Sequence, residues 1–311
     1  MRIVIAGGTG FIGSPLAEVY AEEGHDVRVL TRSLPDGDAR HDPGTGKPGI
    51  TRVGWHPNGA AGAWSPIVDD ADAVINLAGE PLGKGRWTPQ RKAVLRDSRI
   101  LATRSVVEAI RAAAAAPRVL ISSSAVGYYG PSGAEPKTED SRAGNDFLAQ
   151  LAEEWETEAK KAEGTGTRVV LLRTGLVLEK SAGALPRMMR PFRYFVGGPI
   201  GNGQQYTSWI HRLDVVEMIR WIVETPAVIG AVNATAPYPV TNRDFARALG
   251  RALRRPSLFP VPPVALKALF GEMADALLLT GQRVIPGKAQ SHGYHFRYPE
   301  IDIAMRGIFG E

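Results

Sequence analysis

Three glycines have the clearest chemical reading in this chain. Gly7, Gly10 and Gly13 stand at spacing GxxGxxG directly after the apolar run Ile3, Val4, Ile5 and Ala6. Glycine permits a tight turn out of a strand at the first position, close approach of backbone to a pyrophosphate at the second, and close helix packing at the third. The helix that follows, marked by Ile12, Leu16, Val19 and Tyr20 at helical spacing, offers phosphates its free N–H groups and its positive dipole end. The pattern predicts a dinucleotide cradle built from Gly7, Thr9, Gly10, Phe11, Ile12 and Gly13. Pro15, early in that helix, predicts a local distortion without loss of the helix. The next strand ends at Thr31 and Arg32, about twenty residues past the glycines, where an NAD site usually carries an acid for the ribose hydroxyls. An arginine suits a 2′-phosphate, which it grips bidentately while stacking on adenine. Thr31 and Arg32 therefore favour NADP(H) over NAD, for which Asp36 or Asp38 would have to swing back to the ribose.

Other chemistries find less support. The chain has no cysteine, which excludes disulfides and thiol catalysis. Its six histidines are scattered, His292 and His295 lack a third partner nearby, and no carboxylate pair has ligand spacing, so no metal site is predicted. The 37 basic and 32 acidic residues are interspersed, and the densest basic cluster, Arg251, Arg254 and Arg255, has no interleaved aromatic. The net charge of +5 thus points to a small anionic ligand and not to nucleic acid. Arg187, Arg190 and Arg193 recur every three residues, as an anion site or as a solvated face. In Gly83-Lys84-Gly85-Arg86-Trp87 a basic loop either enters the ligand crevice or is a solvated turn. No apolar run reaches the ~18 residues that span a membrane. Residues 1–6 read as a core strand and not a leader. A cytoplasmic monomer or homodimer is expected, with a small-molecule substrate and neither membrane nor nucleic-acid partner.

The elements that must position these residues alternate. Strands are predicted at 3–6, 27–31, 73–78, 119–123 and 169–174. Helices follow the glycines to residue 23, hold Ile100, Val107 and Ile110, and run over about 145–162. A polar, Gly/Pro-rich excursion occupies 34–49. Such alternation implies a doubly wound α/β fold, a parallel sheet covered on both faces. From about Glu179 loops rich in glycine and proline take over, the stretches 209–223 and 231–234 read as a return to the sheet, and a smaller, mostly helical lobe follows. The expected division is a nucleotide-binding unit over 1–180 with return segments at about 205–235, and a substrate lobe over 181–204 and 236–311.

With the glycines, Asn76-Leu77-Ala78-Gly79, Ser122-Ser123-Ser124-Ala125-Val126, Leu172-Arg173-Thr174-Gly175 and Trp209-Ile210-His211 in order, the chain resembles the extended short-chain dehydrogenase/reductases. These form the NAD(P)-dependent epimerase/dehydratase superfamily, with a Rossmann-type fold. GGTGFIG, NLAGEPL, SAVGYYG, GGPIGNGQQ and SWIH resemble its "epimerase family" branch, which includes the YfcH-like proteins. The resemblance implies a cofactor wall at Leu77, Ala78 and Gly79, with Glu80 on a ribose or substrate hydroxyl. It also implies cofactor contacts at Ser122, at Arg99 in the opening of a helix, and at Val177 beside the nicotinamide. It places Ser124 at the substrate oxygen and makes His211 structural. Where sugar-nucleotide enzymes begin the last motif with Arg-Asp, this chain has Thr207-Ser208, so one basic contact for a nucleotide diphosphate is missing.

The superfamily's chemistry also needs a YxxxK pair about twenty-five residues past the serine, the lysine lowering the tyrosine's pKa. Here that segment is Asp146-Phe147-Leu148-Ala149-Gln150-Leu151-Ala152, with neither residue and an apolar face. Tyr128 and Tyr129 are the nearest replacements as proton donor, although an unassisted phenol titrates near 10. Two functions stay open. One is an NADP-dependent oxidoreductase or epimerase/dehydratase-like enzyme acting on a small polar carbonyl or hydroxyl compound. The other is a non-catalytic NADP(H)-binding sensor or interaction protein.

Overall fold

The computed structural model describes residues 1–41 and 49–310; residues 42–48 of the polar excursion lie outside the described residues. An eight-stranded sheet forms its centre. In chain order the strands are β1 (Arg2–Ala6), β2 (Asp26–Thr31), β3 (Ala39–His41), β4 (Ile50–Gly54), β5 (Ala73–Asn76), β6 (Val119–Ala125), β7 (Arg168–Thr174) and β8 (Gly230–Ala234). Their spatial order is β8-β7-β6-β5-β1-β2-β4-β3, parallel throughout except for the β3–β4 edge. This is the doubly wound arrangement expected.

Alternation within β1 shows why both faces need cover. Ile3 and Ile5 join one core with Leu16, Tyr20, Val29, Ile75, Ile121 and Ile219. Val4 and Ala6 point the other way, into a second core with Leu30, Val74, Val106, Ile110 and Leu120. Helices α1 (Gly13–Glu22) and α5 (Arg212–Glu224) supply the first core, and α2 (Pro89–Ala112) and α3 (Phe147–Lys160) flank the opposite face. Local signals set these ends. The Thr88 and Asp146 side chains accept the Arg91 and Ala149 amides and cap α2 and α3, and Pro89 opens α2 where its missing donor is harmless. Helix α1 runs on through Pro15.

Two expectations need correction. Strand β4 was not anticipated, because only five residues long and with Thr51 and Arg52 half-buried it carries little apolar pattern. The stretch 209–223 does not return to the sheet. Trp209–His211 pairs in parallel with Leu176–Leu178 as a separate ribbon, and α5 follows at once. Past β8, α6 (Asn242–Leu253) and the helix Ile301–Phe309 pack through Phe245, Leu249, Ala304 and Met305 on Leu178, Trp209 and Leu185 of α4 (Leu185–Arg193).

Candidate dinucleotide and active site

Strand order reverses between β1 and β5, so their carboxyl ends open a crevice. The glycine turn sits in it. Gly7 has φ +76, and a Cβ there would lie 2.8 Å from the Leu77 carbonyl and 3.0 Å from the Ala78 amide nitrogen. A Cβ on Gly13 would collide with the Gly7 carbonyl and stand 2.7 Å from the Gly8 Cα, so only glycine lets α1 begin this close to the sheet. The Gly10 amide donates to the Gly7 carbonyl at 2.9 Å, Thr9 and Gly10 are exposed at the crest, and Phe11 and Ile12 are half-buried. No side chain caps α1, which leaves its first-turn donors directed at the crevice. The 179–184 loop crosses the cradle: Gly183 sits on the Phe11 ring, and Glu179 pairs with Arg212 at 2.7 Å.

The opposite wall follows β5. The Leu77 amide donates to the Ala6 carbonyl, and the Ala78 amide to Asn76 Oδ1 at 3.2 Å. Buried Asn76 in turn donates to Thr103 Oγ1, which also receives the Trp155 indole N–H, at 2.9 and 2.7 Å. Gly79 is exposed. The Glu80 carboxylate pairs with Arg91 at 3.5 Å, and the Glu80 carbonyl accepts from Arg99 at 3.0 Å. Arg99 lies in the middle of α2, not at the opening of a helix as expected. Its guanidinium is buried over Trp155 and bonded to the Leu95 and Glu80 carbonyls, with no carboxylate paired to it among the described residues. Burial, with Arg91 beside it, pulls its pKa down to about 10. A turn that admits only glycine and a buried cation without a counter-ion together fit a phosphate-bearing dinucleotide.

At the end of β2, Thr31 is buried, its hydroxyl 2.9 Å from that of Ser33. Arg32 is exposed and bonds to no described residue. Asp36 is turned away, its carboxylate accepting the Ala63 amide at 2.8 Å. Val177, 9% exposed, packs in the core in register with Ile210. Ser122 corrects the expected cofactor set. It is 0% exposed in the middle of the sheet, and its hydroxyl has no partner among the described residues.

The reacting end differs most from expectation. Ser124 is 4% exposed and donates its hydroxyl to Glu156 Oε1 at 2.7 Å. Glu156 grips Arg173 through both oxygens, at 2.7 and 2.8 Å. Burial opposes the Arg173 charge most, but the bonds to Glu156, its negative charge and the Tyr129 phenol together outweigh burial and hold that pKa above the ordinary value. Arg173 also donates to the Tyr129 hydroxyl at 3.0 Å, and that hydroxyl donates to Asn233 Oδ1 at 2.6 Å. Burial pushes the Tyr129 phenol up to about 12. Ser124 and Tyr129 therefore depart from expectation: both are links of a buried network, and their hydroxyls are committed within it. Tyr128 is half-buried, with the Arg173 guanidinium 3.4 Å above its ring centre and no hydrogen-bond partner for its hydroxyl among the described residues.

An apolar cluster occupies the YxxxK segment. Phe147 and Leu148 pack with Trp87, Leu95 and Met273, the Trp87 and Phe147 rings edge to face at 5.4 Å. The basic loop over 83–87 is exposed at 83–86 but docked: Arg86 donates to the Ala268 and Leu269 carbonyls at the end of helix α7 (Pro263–Phe270), and buried Trp87 to Leu82. Arg187 donates to the Gly83 carbonyl at 2.7 Å, whereas Arg190 and Arg193 are exposed. Glu156 and Arg173 were missed as site residues. The available signal was a charge interrupting an apolar run, Arg173 in Val-Val-Leu-Leu-Arg-Thr and Glu156 beside Trp155 on an otherwise apolar helix face.

His211 closes the site's far side. Its Nδ1 accepts the Leu213 amide at 3.0 Å and caps α5, its ring stacks on Tyr298 at 3.9 Å, and burial lowers its pKa to about 4. Protonation must break this arrangement, so the unfolded chain takes up the proton first. The contribution of His211 to stability is full above about pH 6.5 and is lost as pH falls towards 4. His211→Asn, which retains a cap acceptor, is expected to flatten this slope. Unfolding free energies at pH 7 and pH 4.5 for both proteins check it, and equal slopes would remove the assignment.

Fold and crevice define a Rossmann-type, extended short-chain dehydrogenase/reductase architecture. The chain belongs to the NAD dependent epimerase/dehydratase family, whose model matches residues 3–234. Residues 261–308 match a domain of unknown function, DUF1731. The chain is 42% identical over 310 residues to the chloroplastic epimerase family protein SDR39U1 homolog of Arabidopsis thaliana, covering 99% of this chain and 86% of that one. It is 38% identical to the epimerase family protein YfhF of Bacillus subtilis, covering 100% and 99% of the two chains. Among solved structures, it is similar to human epimerase family protein SDR39U1 (isoform 2) with NADPH, at TM-score 0.88 and 34% identity, with 100% of both chains covered. No described helix is long and apolar enough to cross a membrane.

Proposed function

We propose that this protein binds NADPH in the β1–β5 crevice and acts as an oxidoreductase or epimerase/dehydratase-like enzyme on a small polar carbonyl or hydroxyl compound. The carrying observation is Arg32, an exposed guanidinium at the end of β2 that bonds to no described residue, with Asp36 held away by Ala63. The human relative crystallised with NADPH supports the same choice. The Gly7–Gly13 turn and α1 would take the pyrophosphate, Arg32 the 2′-phosphate, and Leu77 to Glu80 with Arg99 behind them the ribose side. When bound, the dinucleotide supplies a hydride donor or acceptor. Residues 1–180 with 205–235 form the nucleotide-binding unit in this reading, and 181–204 with 236–311 the substrate lobe. Tyr128 is the proton donor, the one phenol of the pair left with a free hydroxyl.

Arg32→Gln is expected to weaken NADPH at least about tenfold and NADH less than about twofold, by calorimetry. Failure of both nucleotides to bind the unaltered protein overturns the cofactor. Tighter NADH reverses the choice. A second reading, a non-catalytic NADP(H) sensor, is favoured by the apolar packing of Phe147 and Leu148 where the superfamily's tyrosine and lysine would stand. NADPH oxidation across a panel of carbonyl compounds separates the two: saturable turnover that falls in Tyr128→Phe supports the enzyme, and none leaves the sensor.

A further inference from the structure

One cation beside the Tyr128 loop has no counter-ion. Arg283 is half-buried, its Nε is buried without an acceptor, and no guanidinium nitrogen bonds to a described residue. Four other arginines around the crevice are committed: Arg91 to Glu80, Arg173 to Glu156, Arg187 to the Gly83 carbonyl and Arg212 to Glu179. A second orphan lies close by. The Ser132 hydroxyl is buried and unpartnered, while its amide donates to the Gly281 carbonyl at 3.2 Å, two residues before Arg283. Pro136, on the same loop as Ser132, is the register partner of Arg283 in the short parallel pair of Arg283–Val284 with Pro136–Lys137. Tyr206 flanks the guanidinium, 5.6 Å from its ring centre, and Gly281 packs on the Tyr206 backbone where a Cβ would not fit. Gln282 ties this segment to the reacting end by donating to the Val126 carbonyl at 2.9 Å, in the loop between Ser124 and Tyr128.

We propose that Arg283 and Ser132, flanked by the Tyr206 ring, form a subsite for an oxyanion of the substrate, a carboxylate or a phosphate monoester. The substrates would then be anionic carbonyl or hydroxyl compounds. An oxyanion accepts from both orphaned donors at once, and a guanidinium holds it bidentately. The substrate class rests on the NADPH-dependent reading above; the anion site does not.

The test is calorimetric titration with paired probes: succinic semialdehyde against butanal, and glyceraldehyde 3-phosphate against glyceraldehyde. With NADP⁺ present, the charged member of at least one pair is expected to bind about tenfold tighter than its neutral partner, and the pair concerned identifies carboxylate or phosphate. Arg283→Gln should erase that preference, Arg283→Lys should keep part of it, and NADP⁺ affinity should change in neither. Equal binding within both pairs, or a preference that survives Arg283→Gln, overturns the proposal. If Arg283→Gln does not fold, Ser132→Ala removes one hydroxyl and should weaken the charged probe several-fold; no change overturns it. Loss of NADP⁺ binding by the unaltered protein would sink the cofactor reading alone, because the same titrations without nucleotide still read the anion site.

Discussion

Gly13→Val is expected to abolish NADPH binding, weakening it by about a hundredfold or more. The reason is steric. The first atom of any side chain at residue 13 meets the Gly7 carbonyl and the Gly8 Cα, 2.7 Å away. Neither can give way, since Gly7 is pressed on the other side against Leu77 and Ala78. Helix α1 must move outward, and the donors of its first turn leave the position where they meet a pyrophosphate. Overpacking of this kind also costs about 1–3 kcal/mol of stability. Calorimetry with NADPH and a thermal scan together check the prediction. A folded Gly13→Val variant with undiminished affinity would show that the cradle is not where the nucleotide binds.

Glu156→Leu should be the most destabilising single change in the reacting end, at about 3–5 kcal/mol. Arg173 is 4% exposed, and without Glu156 its charge is left, among the described residues, with the Tyr129 hydroxyl, the Glu139 carbonyl and the Tyr128 ring, none of them an anion. For a chain of this size that corresponds to a fall in melting temperature on the order of 10 °C. Combining it with Arg173→Met removes the stranded cation, so the double variant should recover much of the loss. Additive losses would mean that the two side chains are not energetically coupled. A small loss in Glu156→Leu alone would mean that water or another group compensates Arg173. The same network explains why Ser124 and Tyr129 are poor candidates for proton transfer. Their hydroxyls hold Glu156 and Arg173 in place under the Tyr128 ring, and a proton removed from either would unbalance a buried charge.

The elements closest to the nucleotide were legible because local geometry forces their residues. Gly7, Gly10 and Gly13 announce a turn that only glycine can make, and Arg32 ends a strand whose position follows from the alternation before it. Strand β4 escaped because five residues with two polar members carry too little periodicity. The ribbon at Trp209–His211 escaped because an apolar three-residue run does not reveal its partner; that partner, Leu176–Leu178, is about thirty residues away and pairs outside the main sheet.

Sequence by itself determined the doubly wound class, the glycine turn before α1 and the absence of a YxxxK pattern, since each is a statement about residues near one another in the chain. Only the tertiary structure decided what packs around Phe147 and Leu148 and which polar side chains are committed to one another. Trp87, Phe147 and Met273 meet from three separate segments. Arg173, Glu156, Ser124, Tyr129 and Asn233 converge from β7, α3, β6, the turn after β6, and β8 to neutralise one another. The physical reason is that a charge or hydroxyl is defined chemically by its partner. Partners separated by 17 residues, as Arg173 and Glu156 are, or by 104, as Tyr129 and Asn233 are, are assigned by folding alone.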